Sequence, residues 1–174
     1  MKNKKLKPQR IKKESDERYT PEEILGCVRQ VGSIVLDPCT TPDNRTKAEH
    51  FFIFEDNGLE QEWYENFKDG LIFVNPPFSK LRLWMNKCVK EAEKGCQIIA
   101  LLPGDTSTLW FHNYVGISAD NLCFYKGRIE FLSASDKFGS GAMTSTIFAY
   151  WGKQQSKFES VFNNIGLVIN LNKL

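Results

Sequence analysis

Two kinds of hydrophobic spacing alternate along the first two thirds of the chain. Short, mostly apolar runs occur at residues 33–36, 51–54, 71–74 and 97–102, and each stops at a cluster of polar, proline or glycine residues. Runs of this length without a regular polar alternation read as strands buried on both faces. Between them the apolar positions fall at helical spacing: Ile24, Leu25, Val28 and Val31 before Gly32, and Leu81, Trp84, Met85, Cys88, Val89 and Ala92 before Gly95. The start of the first helix is predicted at Tyr19-Thr20-Pro21-Glu22-Glu23, with Thr20 as N-cap, Pro21 at the first helical position and Glu23 as the reciprocal acid. Residues 60–67, carrying Trp63, predict a short helix or turn, and residues 106–115, with Trp110 and Phe111, a further helix.

Later segments favour strands, at residues 122–125, 128–132 and 144–151, with a glycine- and serine-rich connection over 133–141. A helix around Phe158 and Phe162 and an apolar Leu167-Val168-Ile169 follow. Strands alternating with helices imply a parallel sheet, and late strands joined by short turns imply an antiparallel edge near the C-terminal end. The expected fold class is therefore α/β: a Rossmann-like sandwich with a mostly parallel sheet. The expected organisation is a basic arm over residues 1–18, one domain over 19–152 and a C-terminal extension over 153–174.

Composition narrows the class. A chain of 174 residues with 41% hydrophobic and 25% charged residues is expected to be one soluble globular domain. No apolar run approaches a membrane span, and the basic N-terminus lacks the apolar segment of a signal peptide. Cys27, Cys39, Cys88, Cys96 and Cys123 are an odd, scattered set that reads as free thiols in a reducing cytoplasm. With only His50 and His112 and no clustered Cys/His spacing, no metal site is expected. The net charge of +2 hides seven Lys and Arg residues within the first 13, unopposed by any acid. Such an arm is either a solvated tail or a source of salt-dependent phosphate contacts.

Three strand ends carry candidate chemistry: Asp37, the Glu55-Asp56 pair, and Asn75-Pro76-Pro77-Phe78. In an open α/β sheet such carboxyl ends converge on one ligand crevice. Two consecutive prolines end the strand in a rigid turn that presents an amide, a carbonyl and an aromatic ring. These groups suit an exocyclic amino group on a heteroaromatic base. No glycine-rich phosphate cradle is present, which weighs against NAD and nucleoside triphosphates. Acidic loops suit instead a ligand with a ribose diol and a cationic head, as in S-adenosylmethionine.

The ordered set Tyr-Thr-Pro (19–21), Leu-Asp-Pro-Cys (36–39), Asp-Asn-Gly-Leu (56–59), Trp63, Phe-Val-Asn-Pro-Pro-Phe-Ser (73–79), Trp84, Leu-Leu-Pro (101–103), Trp-Phe-His (110–112) and Gly-Arg-Ile-Glu-Phe (127–131) resembles the phage-type DNA N-6-adenine methyltransferase (Dam-like) family. The resemblance implies an S-adenosylmethionine-dependent, adenine-specific DNA methyltransferase acting on double-stranded DNA in the cytoplasm of a bacterium or phage-infected cell, with protection against restriction as a purpose. It implies that Tyr19, Thr20, Pro21, Asp37, Cys39, Glu55, Asp56 and Asn75 bind the cofactor. Asn75, Pro76, Pro77 and Phe78 would form the catalytic turn, with Asn75 and the Pro76 carbonyl accepting the adenine N6 hydrogens and Phe78 stacking on a base flipped out of the duplex.

The chain departs from the family pattern in two places. Cys39-Thr40-Thr41-Pro42 replaces a glycine-rich first loop, and Asn57 interrupts the usual Asp-Gly-Leu, leaving Asp56 or Asn57 in the functional place. No inserted recognition domain fits between Asp37 and Asn75. DNA contacts are therefore expected from Lys80, Arg82, Arg128, Lys137 and the arm. Two other readings stand beside this one: a methyltransferase of RNA or of a protein glutamine, and a catalytically inactive nucleic-acid-binding relative.

Overall fold

The computed structural model describes residues 18–131 and 145–173. The basic arm up to residue 17, Lys137 and the rest of the 133–141 connection lie outside the described residues.

The four apolar runs form the strands of a parallel block. Strand β1 (Ile34–Asp37) lies between β2 (His50–Phe51) and β3 (Leu71–Val74), and β3 pairs in turn with β4 (Gln97–Pro103), all in parallel. Strands β5 (Asn121–Tyr125), β6 (Thr146–Trp151) and β7 (Gly166–Asn170) complete a seven-stranded sheet of order β2-β1-β3-β4-β6-β5-β7. The pairs β4/β6, β6/β5 and β5/β7 are antiparallel.

Both faces are covered, which is why β3 is buried along its whole length. Leu71 and Phe73 face helices α1 (Glu22–Val31) and α4 (Gln155–Phe162) through Val28, Val31, Phe158 and Phe162. Ile72 and Val74 face helix α3 (Leu81–Lys94) through Trp84, Met85 and Cys88, with Trp63, just before the single-turn helix α2 (Tyr64–Phe67), in the same layer. Gly95, at φ +119°, stops α3 in the left-handed conformation glycine adopts without strain. Among the described residues no helix is long and apolar enough to cross a membrane, and no group of three His, Cys, Asp or Glu side chains could hold a metal ion.

Four sequence expectations need correction. Thr20 does not cap α1: Pro21 is the N-cap residue, there is no side-chain cap, and the Thr20 hydroxyl instead faces Asn75. The second strand shrinks to two residues, because Asp56 accepts the Ile53 N–H at 2.9 Å and pulls 53–56 into a turn. The helix predicted from Thr106 begins at Leu109, because Asp105 takes both the amide and the hydroxyl of Ser107 into a turn; it continues as a π-helical turn over Phe111–Val115. Residues 128–131 are not a strand, since β6 and β7 already occupy the two sides of β5; Ile129 and Phe131 are buried against the α1 face instead.

The final segment is built into the sheet and its core. Tyr150, Phe158 and Phe162 stack in sequence, with centroids 5.0 and 4.2 Å apart, and β7 pairs with β5 along its length. Phe158→Ala is expected to lower unfolding stability by about 3–5 kcal/mol, measurable as a shift of the urea midpoint.

Candidate active site

Because β1 and β3 are parallel neighbours, the residues that end them, Asp37 and Asn75, come out side by side at one edge of the sheet. The first loop bridges the two ends, with the Cys39 thiol donating to the Asn75 carbonyl at 3.4 Å. Asp37 is 3% exposed, and its carboxylate accepts the Cys39 N–H at 3.2 Å and the Thr46 hydroxyl at 2.9 Å. Burial raises its pKa to about 6, against the lowering effect of the Cys39 amide and the hydroxyls of Thr46 and Thr40. Burial and the neighbouring Asp37 push the Cys39 thiol well above its ordinary value, so it stays protonated.

The Asp-Asn-Gly-Leu stretch braces this loop. Asn57 takes φ +52°, a left-handed conformation that asparagine tolerates well, while Asp56 spends a carboxylate oxygen on the Ile53 amide. Gly58 lies so close to the first loop that a Cβ on it would sit 2.0 Å from the Pro38 carbonyl oxygen. The buried Trp63 indole donates to the Gly58 carbonyl at 2.9 Å and stacks on Trp84 at 6.3 Å between centroids. These residues act as a brace that sets the height of the Asp37 loop.

At the other strand end, Pro76 is buried, and Pro77 leads into a 3₁₀ turn over Phe78–Lys80. The Asn75 amide nitrogen donates to the Arg18 carbonyl at 2.7 Å and to the Thr20 hydroxyl at 3.1 Å. The Arg18 guanidinium lies 4.8 Å from the Phe78 ring centroid, and Phe131 meets that ring edge-on at 6.4 Å.

Between the strand ends is a small cleft lined by Arg18, Tyr19, Thr20, Asp37, Cys39, Thr40, Thr41, Arg45, Thr46 and Asn75. Of the residues expected there, Tyr19, Thr20, Asp37, Cys39 and Asn75 are brought together. Pro21, Glu55 and Asp56 fall outside the lining; Glu55 and Asp56 are exposed. Lys80 sits by the turn with its ammonium 5.9 Å from the Phe54 ring, and Arg82 and Arg128 are exposed. Sequence reasoning missed Arg18, Arg45 and Thr46. Arg45, 3.8 Å from the Tyr19 ring centroid, and Thr46, on Asp37, carried no signal beyond lying in a polar loop. A larger open groove of about 630 Å³ runs past Gly95, Gln97 and Gly152, where β4 begins and β6 ends, away from these strand ends.

Comparison with known proteins decides the family. Residues 7–165 match the family described as DNA N-6-adenine-methyltransferase (Dam). The chain belongs to the Dam family. The match runs beyond the signature motifs and takes in α4. A DNA N-6-adenine-methyltransferase of Escherichia phage T1 is 32% identical over 93 residues, which cover 53% of this chain and 37% of that protein. The chain thus spans little more than a third of that Dam relative's length. No solved structure matches the chain.

Within this Dam chain, Gly58→Ala is expected to cost about 1–3 kcal/mol by pushing the 56–59 turn off the Pro38 carbonyl, read as a lower melting temperature in the purified protein.

Proposed function

We propose that this protein transfers a methyl group from S-adenosylmethionine to the N6 amino group of an adenine in double-stranded DNA, on a Rossmann-like methyltransferase fold. The observation that carries the reading is the placement of the Asn75 amide and the Phe78 ring at the end of β3, beside a cleft that holds a buried carboxylate, in a member of the Dam family. Asp37 is the residue best suited to a cationic or diol-bearing ligand: it is anionic at neutral pH and has no ion-pair partner among the described residues. Thr40 supports that carboxylate with its hydroxyl, the Thr41 hydroxyl donates to Asp43, and Tyr19 adds its ring to the cleft lining. The cavity volume of about 50 Å³ holds one or two waters at about 30 Å³ each. A nucleoside-sized ligand therefore needs the cleft lining to open further.

When bound, S-adenosylmethionine supplies an electrophilic methyl on its sulfonium sulfur. The protein's task is to place the amine. Asn75 Oδ1 and the Pro76 carbonyl accept hydrogen bonds from the two N6 hydrogens, which raises electron density on the nitrogen and aims its lone pair at the cofactor side of the turn; the methylated nitrogen then sheds one proton to solvent. Phe78 supports the ring of a base turned out of the stack, and positioning does the work that a strong base would do elsewhere. Lys80, Arg82, Arg128, Lys137 and the basic arm are assigned to phosphates, so DNA affinity falls with rising salt.

The test is transfer of labelled methyl to unmethylated DNA with identification of the product nucleoside. N6-methyladenine is expected, with Asn75→Ala slowing transfer about 10²–10³-fold; label on RNA or on protein alone would contradict the reading.

Asp37 adds a pH signature. Its folded pKa of about 6 lies above the unfolded value of about 3.9, so without ligand its stability contribution is present below the unfolded pKa and is lost as pH rises through about 6. The ligand favours the carboxylate, so cofactor affinity is expected to rise between pH 5 and 7 by roughly tenfold per unit below the pKa. Calorimetric titration should show that rise in wild type and a flat, weaker profile in Asp37→Asn.

A further inference from the structure

We propose that Thr20 and the Arg18 carbonyl are positioning groups that decide which atom of Asn75 is offered to the target base, and that asparagine rather than aspartate is required at residue 75 for this reason. The inference rests on the function proposed above and adds the device that makes the site select an amino group. A carbonyl oxygen can only accept, so at 2.7 Å the Arg18 oxygen can face only the amide nitrogen of Asn75. That contact fixes the amide orientation: Nδ2 points at residues 18–20 and Oδ1 points away from them. The Thr20 hydroxyl, 7% exposed as a residue, takes the second amide hydrogen at 3.1 Å. Among the described residues no donor reaches Oδ1.

Both amide hydrogens are therefore spent inside the protein, and Asn75 can meet a base only as an acceptor. An exocyclic amino group, as on adenine or cytosine, satisfies it. A ring carbonyl at the same place, as on hypoxanthine, guanine or thymine, meets oxygen with oxygen. Aspartate would be the stronger acceptor for an amine, but its second oxygen would face the Arg18 carbonyl, oxygen against oxygen, with only the Thr20 hydroxyl able to turn and donate to it. Thr20 is thus diverted from the helix-cap role its sequence position suggested.

The experiment compares wild type with Thr20→Val, Thr20→Ser, Asn75→Asp and Asn75→Ala in steady-state methyl transfer to short unmethylated duplexes, with melting temperatures alongside. Thr20→Val is expected to lower kcat about tenfold, the factor that one hydrogen bond of ordinary strength represents, with the KM for S-adenosylmethionine unchanged and the melting temperature lower by only about 2–4 °C. Thr20→Ser, which keeps the hydroxyl, should restore kcat to within a few-fold of wild type. Asn75→Asp should fall as far as Asn75→Ala, and if Thr20→Val fails to fold this comparison decides alone.

A raised cofactor KM at unchanged kcat in Thr20→Val would overturn the inference in favour of a cofactor contact. Equal losses in Thr20→Val and Thr20→Ser would also overturn it, as would wild-type turnover in Asn75→Asp. These outcomes leave the proposed activity intact. A wild-type product of N4-methylcytosine would instead remove the adenine reading while supporting the amino-group selection argued here. No transfer to any nucleic acid would remove both.

Discussion

Asn75 holds three separate pieces of chain together through one residue. Its side-chain nitrogen ties the segment before α1 to the end of β3, through Arg18 and Thr20, and its backbone carbonyl receives the thiol of the first loop, through Cys39. Each bond contributes on the order of 1 kcal/mol to stability, a modest amount for the fold but enough to settle one amide orientation. The prolines that follow make the arrangement stiff. With Pro76 buried and Pro77 setting the turn, the strand cannot continue, and Phe78 is carried beside the Arg18 guanidinium. Parallel pairing of β1 and β3 then brings Asp37 and Asn75 to the same edge.

Architecture and chemistry divide the motif residues between them. Gly58 and Trp63 brace the Asp37 loop, through the Pro38 carbonyl approach and the indole hydrogen bond, and Trp84 stacks behind them. Asp37, Cys39, Thr20 and Asn75 line the cleft. The first loop needs no glycine-rich turn in this chain, because Asp37 organises it: its carboxylate receives the Cys39 amide and the Thr46 hydroxyl. That organisation places a carboxyl group where burial disfavours its charge, and a cationic or hydroxyl-bearing ligand would relieve the cost.

What could be read from the residues alone was whatever depends on local pattern. The uninterrupted apolar runs of β1, β3 and β4 announce strands buried on both faces, and the spacing from Leu81 to Ala92 announces α3. What escaped depends on partners distant in sequence. Thr20 carries every local mark of a helix cap, and only the amide of a residue 55 positions away takes it elsewhere. Residues 128–131 have strand-like composition, but the strand just before them, β5, is paired on both sides by β6 and β7. Arg18 and Arg45 carry no local signal, because the rings beneath them, Phe78 and Tyr19, are brought there by the fold.

In the proposed reaction Asn75 Oδ1 receives an adenine amino group at the end of β3. A crystal structure of the protein with S-adenosylhomocysteine and an unmethylated duplex tests it most directly. The expected complex shows an adenine turned out of the stack, its N6 within about 3.2 Å of Asn75 Oδ1, and its ring against Phe78 where the Arg18 guanidinium now lies. A complex with every base stacked in the duplex, or with a ring carbonyl facing Asn75, would contradict it.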